Sequence, residues 1–386
     1  MIILRTVKNI SSLNIAASVL LFLAAILAAV VANSSLSPVY QDFLLQELHL
    51  RIGNFNLFSH GGHPLKMIEF INDCLMTVFF LAVGLEIKRE LLVGELSSVR
   101  KAALPFIAAC GGMVVPVVIY ALSVASGTPE TRGMAIPMAT DIAFSLGVLS
   151  LLGKRVPLSL KIFLTAFAVV DDIGGILVIA LFYSADVAYG YLIAAAVLYV
   201  FLYYMGKFGV TQKIFFLFFG VIIWYLFLQS GIHSTISGVI LAFVIPARPR
   251  LDAGKYIERI RDIIGEFPLS KSDNIVLTNA QIATLKQVER ASDYVISPLQ
   301  SLEDNLHGAV SFVILPLFAF ANAGVVFSGS GSIVGDVSIA VAAGLLLGKF
   351  LGIYLFTWLA VKSGVALMPA GMNWKNIAGV SLLGGI

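Results

Sequence analysis

Two neighbouring carboxylates lie in the middle of one long hydrophobic run and place the strongest constraint on how this chain can fold. The run covers residues 165–183, long enough to cross a bilayer, and contains Asp171 and Asp172. A charged side chain at that depth costs roughly 2.5–3.5 kcal/mol on insertion scales. Adjacent helical residues point about 100° apart, so one carboxylate can line a cavity while the other reaches a neighbouring helix. The pair is therefore either an ion or proton site, or two acids neutralised by cations elsewhere in the bundle.

The composition places the chain in a membrane. Hydrophobic residues make up 59% of its 386 residues and charged residues 12%, whereas ordinary soluble domains carry about 25% charged residues. The cations lie in loops between apolar runs, so the net charge of +3 does not indicate nucleic-acid binding. Cys74 and Cys110 lie in apolar runs, which excludes a disulfide framework.

We predict an all-α polytopic membrane protein with about ten complete transmembrane helices and the start of an eleventh. Residues 1–246 form one membrane domain with eight helices, residues 247–297 a polar insert, and residues 298–386 the remaining membrane helices. The predicted spans are 13–33, 67–88, 102–124, 133–152, 157–183, 187–206, 213–229, 231–246, 306–327 and 338–361. The insert is expected to be partly helical around 256–264 and 280–291, with its hydrophobic residues on one face, and to lie on the surface.

Basic residues are divided unevenly between the two alternating sets of connections. Of the 25 lysines and arginines, only Arg51, Lys66 and Arg132 fall in one set of connections. Lys349 lies within the membrane, and all the others fall in the second set. Because lysine and arginine accumulate on the cytoplasmic side, the N terminus and the insert are predicted to be cytoplasmic.

Few other ionisable residues lie at membrane depth. Asp141 follows Pro137 and Thr140 in the fourth predicted helix. Proline removes a backbone donor, and threonine and aspartate cap new helix starts, so this helix is interpreted as broken, with a simple proline kink as the alternative. Lys349 lies near mid-span of the tenth predicted helix, so its expected partner is one of the three buried carboxylates.

The remaining polar candidates lie near the ends of predicted helices. Those at the cytoplasmic ends of the second and ninth helices are Glu86, Arg89, Glu90, Glu303 and His307. For the cluster in the second helix, the simplest interpretation is a solvated helix end with local ion pairs. Asp73 and His233 lie near the outer ends of the second and eighth helices. A histidine at that position is either a satisfied polar residue or a pH-responsive group.

Six motifs, in this order, resemble the bacterial NhaA sodium/proton antiporters over nearly the whole chain. They are FFLAVGLEIKREL at 79–91, AIPMATDIAF at 135–144, residues 158–163 running into the acid pair, QSGIHST at 229–235, LPLFAFANAG at 315–324 and residues 344–352. The resemblance implies a fold of inverted repeats with broken helices. It implies electrogenic export of Na+ or Li+ in exchange for more protons than cations, for pH and sodium homeostasis, by a multi-pass protein of the bacterial inner membrane. No cofactor is implied, and a homodimer is compatible with the resemblance.

The resemblance also implies roles for individual residues. Asp171 and Asp172 are implied to be the ion-binding and proton-exchanging pair, with Asp172 the direct cation ligand and Asp171 the partner of Lys349. The supporting polar residues are implied to be Asp141, Thr140, Lys349 and Asp73. The residues implied in the pH response are Glu86, Arg89, Glu90, His233, Glu303 and His307.

The chain departs from the family pattern in three places. The insert at 247–297 is longer than the family's connection, and Phe350 replaces the proline that usually follows the lysine. Residue 386 falls where the family has its second broken helix. On that ground the chain, as written, is expected to leave the acid pair open on one side and to transport poorly.

Two other functions also use ionisable groups at membrane depth. The alternative within transport is a proton-coupled carrier for another cation or for a small anionic solute. An intramembrane aspartyl protease needs one acid from each of two facing helices, whereas the two acids here are adjacent and diverge. No enzymatic activity is therefore expected.

Overall fold

A computed structural model describes residues 2–53, 55–125, 127–138, 145, 149, 156–182, 187–249, 251–268, 276–327, 335–369 and 371–385. Within these ranges the chain is almost entirely helical, as predicted. The first helices are α1 Ile2–Ala32, α2 Ser37–Leu45, α3 Met67–Val93, α4 Val99–Ser123, α5 Leu158–Phe182, α6 Tyr189–Lys207 and α7 Lys213–Ser230. The others are α8 Ile236–Val244, α9 Ala253–Gly265, α10 Asn279–Val295, α11 Pro298–Asn322, α12 Asp336–Lys362 and α13 Trp374–Leu383.

Six of these helices are long and apolar enough to cross a membrane, namely α3, α4, α6, α7, α11 and α12. Residues Ala16–Ala32 of α1 and the whole of α2 meet the same criterion when they are taken together, with a bend of 113° between them. Among the described residues this gives six or seven spans, against about ten predicted. The difference arises partly because α8 has only nine residues, where 231–246 was predicted, and because much of 133–152 lies outside the described ranges.

The connection between α2 and α3 forms two small hairpins. Strand β1, Arg51–Ile52, pairs antiparallel with β2, Phe55–Asn56, and β3, Ser59–His60, pairs with β4, His63–Pro64. Gly61 and Gly62 connect β3 and β4 with φ angles of 57° and 85°. A two-residue hairpin turn with positive φ at both positions strongly favours glycine, which explains why the chain reverses there.

Close backbone contacts between α4 and α12 position the acid-bearing helix α5. A Cβ atom on Gly352 of α12 would overlap the carbonyl oxygen of Gly111 in α4, and one on Gly348 would lie 2.7 Å from Cα of Pro116. Small residues allow helix backbones to approach this closely. Side chains of α4, α5, α12 and α13 then share the largest buried hydrophobic cluster, which includes Phe167.

Three long helices contain a π-helical turn, at Ile71–Leu75 in α3, Val310–Ile314 in α11 and Gly344–Lys349 in α12. Such turns are rare and frequently occur at functional sites. Asp73 and Lys349 lie in two of them. The sequence predicted regular helices at both places.

The polar insert contains two helices, α9 and α10, at the two stretches where the sequence predicted them. The Asp252 side chain caps α9 by accepting a hydrogen bond from the backbone nitrogen of Gly254. Thr278 and Gln281 form a capping box at the start of α10. These side chains satisfy the unpaired amides of each first turn, which fixes where the helices begin.

Replacing Gly352 with alanine is expected to destabilise the protein, because the new methyl group has no space against Gly111. Overpacking of this kind costs about 1–3 kcal/mol. A lower midpoint of thermal unfolding in detergent would report this cost. Gly308→Ala in α11 is the matched control, since nothing lies within 4 Å of its Cβ position. Equal midpoints for the two variants would contradict the proposed close contact.

Candidate functional site

A buried ion pair joins α5 to α12. Nζ of Lys349 lies 2.5 Å from Oδ2 of Asp171 and 5.9 Å from the centre of the Phe167 ring. Lys349 is 0% exposed and Asp171 4%. A lone charge buried to this extent is strongly unfavourable, whereas a hydrogen-bonded pair compensates most of the cost. The contact that the resemblance implies between these two residues is present in the structure.

Asp172 lies beside this pair in a different environment. It follows Asp171 in α5, so its side chain points about 100° away, and it is partly exposed. It is close enough to Lys349 for the two charges to interact. Asp171 is enclosed, whereas Asp172 keeps part of its surface exposed. The two adjacent acids therefore differ: Asp171 binds the lysine, and Asp172 lies at a more accessible position.

Two other segments contact both α5 and the π turn of α12, namely a 3-10 helix, Pro129–Met138, and α13. Pro137 is buried near the end of the 3-10 helix and faces Gly344 at the start of the π turn, where an added Cβ would lie 2.8 Å from Cβ of Pro137. Ser145 Oγ donates a hydrogen bond of 2.8 Å to the carbonyl oxygen of Leu383 at the end of α13. Thr140 and Asp141, predicted to lie at a helix break here, fall outside the described residues.

Asp73 lies in the π turn of α3, at the end of the helix next to the hairpins. Its Oδ1 accepts a hydrogen bond of 2.9 Å from Ser234 Oγ, and its backbone carbonyl accepts one of 3.2 Å from Trp224 Nε1. His233, next in the chain to Ser234, has Nδ1 2.7 Å from Oγ1 of Thr235. Asp73 and His233 both line a cavity of about 630 Å³. The structure thus brings together the two residues that were predicted near the outer helix ends.

The opposite end of α3 carries a network that connects it to α11. Arg89 Nε lies 2.9 Å from Oε1 of Glu303, and Arg89 Nη1 lies 2.9 Å from Oε1 of Glu90. Glu90 is only 8% exposed, and Glu86 interacts electrostatically with the same arginine. The local ion pair of the predicted solvated helix end is present between Arg89 and Glu90, but Glu90 is buried and the bridge to Glu303 connects two distant helices. His307 is exposed on α11, one turn beyond Glu303.

Lys88 has a structural role that the sequence did not indicate. Its Nζ donates hydrogen bonds to the carbonyl oxygens of Ala242, Phe243 and Ile245 at the end of α8. The last carbonyls of a helix lack intrahelical partners and carry partial negative charge, so a cation is favourable there. A lysine beside an arginine and two glutamates gives no sequence signal for this distant partner.

A second cavity, of about 260 Å³, lies at the Arg89 end of the molecule. Glu95, Arg100 and Lys101 line it together with Phe163 and Ala166 of α5. Ala166 precedes Asp171 by five residues, about 7.5 Å along a helix. The two cavities therefore lie at opposite ends of α3, and the smaller one reaches towards the acid pair.

The described residues contain no group of three or more histidine, cysteine, aspartate or glutamate side chains arranged to hold a metal ion.

The comparisons with known proteins agree with these motifs. The sequence model of a family described as Na+/H+ antiporter 1 matches residues 8–386. A protein of Bacteroides thetaiotaomicron named Na(+)/H(+) antiporter NhaA is 74% identical over 386 residues, which are 100% of this chain and 88% of the relative. Proteins of the same name from Bacteroides fragilis and Porphyromonas gingivalis are 75% and 46% identical, covering 100% and 99% of this chain and 88% and 86% of the relatives.

Replacing Lys349 with alanine is expected to lower stability sharply, because it leaves Asp171 buried without its cation. Breaking a buried pair by removing one partner costs about 3–5 kcal/mol. Thermal unfolding of the purified protein measures this effect. Lys349→Arg keeps the charge and should retain part of the stability, and the double variant Lys349→Met/Asp171→Asn should be more stable than Lys349→Ala. An unchanged midpoint in Lys349→Ala would rule out a stabilising pair.

Proposed function

This chain belongs to the Na+/H+ antiporter 1 family, and from that premise we propose that it exports Na+ or Li+ in exchange for H+. The exchange is secondary active transport and serves pH and sodium homeostasis. It moves more protons than cations, so the membrane potential drives it too. The protein is multi-pass, lies in the bacterial inner membrane, and has its N terminus in the cytoplasm.

The observation that carries this proposal is the buried Asp171–Lys349 pair with Asp172 beside it. Lys349 holds Asp171 within the core, whereas Asp172 is partly exposed. Hard cations prefer oxygen ligands, and carboxylates are foremost among these. Asp172 is therefore the direct cation ligand and Asp171 its partner in the site, with Thr140, Asp141 and Asp73 as supporting polar residues.

Competition at this site couples the two flows. A carboxylate oxygen that binds a proton is a poor ligand for sodium, so each ion displaces the other from Asp172. A sodium ion bound there would also lie near the Lys349 ammonium, and the two positive charges would repel. Sodium binding and proton binding thus oppose each other at Asp171, Asp172 and Lys349. The protonation of these three residues is coupled because their charges interact.

The positions of the cavities support access from both sides of the membrane. The smaller cavity reaches Ala166 in α5 from the Arg89 end, and the larger one reaches Asp73 from the hairpin end. Access that alternates between these ends would carry an ion bound at the acid pair across the membrane. His233 lines the larger cavity, and the Arg89–Glu303 bridge lies at the end of α3 that is nearer the smaller one. Both places suit a response to pH, together with Glu86, Glu90 and His307.

A proton-coupled carrier for a different solute is the alternative function. It predicts proton movement that depends on that solute and is indifferent to sodium. The family membership favours sodium, because the relatives carry antiporter names.

Replacing Asp172 with asparagine is expected to abolish sodium-dependent proton release from the purified protein. The amide keeps the shape of the side chain but removes the charge that sodium and the proton compete for. A pH indicator in weakly buffered detergent solution records the protons released when sodium is added. This is a binding measurement, so it reports on the site whatever the rate of transport.

Glu289→Gln is the matched control, because it neutralises an exposed carboxylate of α10. It should release protons like the unaltered protein. Normal release from Asp172→Asn would remove Asp172 from the cation site. Absence of sodium-dependent release from the unaltered protein, with release on addition of another solute, would favour the alternative carrier.

A further inference from the structure

Helix α9 of the insert separates its apolar, basic and acidic side chains into different sectors. At about 100° per residue, its large apolar residues fall within an arc of about 120°. They are Tyr256, Ile257, Ile260, Ile263 and Ile264. Arg259 and Arg261 flank the two edges of this arc, and Glu258 and Asp262 lie on the opposite face. The cations thus adjoin the apolar surface, and the acids point away from it.

Only part of the apolar arc packs against protein. On one edge, the hydroxyl groups of Tyr256 and Ser292 of α10 are hydrogen-bonded to each other at 3.0 Å, and Ile263 is half-buried. On the other edge, Ile257 is 58% exposed and Ile264 59%. Ile257 and Ile264 thus form a small apolar surface along the exposed edge of α9.

The base of the α9–α10 hairpin is tied to the end of a membrane-spanning helix. The backbone nitrogen of Leu251, two residues before α9, donates to the carbonyl oxygen of Tyr294. Leu299, in the first turn of α11, donates in turn to the carbonyl oxygen of Pro246, just after α8. The Ser297 side chain caps α11 immediately after α10. Helix α9 is therefore attached within a few residues of the membrane boundary.

We propose that α9 lies flat on the bilayer surface beside the ends of α8 and α11, bound to anionic phospholipid. Ile257 and Ile264 insert at the boundary between headgroups and acyl chains. Arg261, which adjoins this edge, extends its guanidinium to the lipid phosphates while its aliphatic stem covers the apolar surface. Glu258 and Asp262 face the aqueous phase, where their charges are fully solvated.

The arrangement of charge favours a lipid surface over a protein partner. Cations at the edges of an apolar sector match a plane that is apolar inside and anionic at its border. The hydrogen bond from Leu299 to Pro246 also holds the ends of α8 and α11 together at the base of the hairpin, which keeps α9 within a few residues of the proposed bilayer surface. A protein partner would have to compete with the lipid headgroups for this position.

The test places a single fluorescent label on each face of α9 in the whole protein. Cys74 and Cys110 are first replaced by alanine, so that the new cysteine is unique. The variants Ile257→Cys and Glu258→Cys then carry an environment-sensitive fluorophore in nanodiscs of phosphatidylglycerol and phosphatidylethanolamine. Lipids with a nitroxide near the headgroup end of the acyl chain should quench the label at 257 at least threefold more than the label at 258. Iodide in the water should show the reverse preference.

Each outcome decides the proposal. Equal quenching by lipid nitroxide at 257 and 258 would overturn it. A label at 257 that neither nitroxide nor iodide quenches would also overturn it, in favour of a protein contact. The same measurement with Ile264→Cys decides the matter if Ile257→Cys does not elute as a folded protein.

A charge variant tests the lipid phosphates separately from the apolar insertion. With the label at 257, Arg261→Gln should lower nitroxide quenching in phosphatidylglycerol nanodiscs by about half and leave it unchanged in nanodiscs of neutral lipid. Lys255→Gln removes the same charge from the polar face of α9 and should have no effect in either. Equal losses from both variants would show that the arginine position has no special contact with anionic lipid.

Discussion

The ion pair between Asp171 and Lys349 is the interaction on which the rest of the membrane domain depends. Neither charge is tolerable alone at its depth, and the two lie on helices far apart in the sequence. The packing must therefore bring α5 and α12 together to within hydrogen-bond distance, or both helices carry an uncompensated charge. Glycines in α4 and α12 make that approach feasible, because they remove the side chains that would hold the backbones apart.

The chemistry of the proposed exchange follows from the asymmetry between two neighbouring residues. One carboxylate is committed to a buried cation, and the other lies at a more accessible position in the same helix turn. A pair of equivalent acids would repel each other and share one proton, as coupled carboxylates do. Dividing the roles lets the protein keep a charged core and still offer oxygen ligands to an incoming ion.

Some of this architecture could be predicted from residues alone. The depth of Asp171, Asp172 and Lys349 in hydrophobic runs is evident from hydropathy, and helices α9 and α10 follow from the spacing of apolar residues. The π turns at Asp73 and Lys349 were missed, because a one-residue insertion barely disturbs a hydrophobic pattern that surrounds the helix on all sides. The Lys88 contacts with α8 and the Arg89 bridge to α11 were missed because both partners are distant in sequence.

The contact between Gly111 and Gly352 limits how the molecule can move. Where two side chains meet, a change of rotamer provides clearance for sliding, but a contact of backbone with backbone has no such adjustable part. The contact therefore resists sliding of α12 along α4. A displacement of helices during transport then has to occur at interfaces that are lined by side chains.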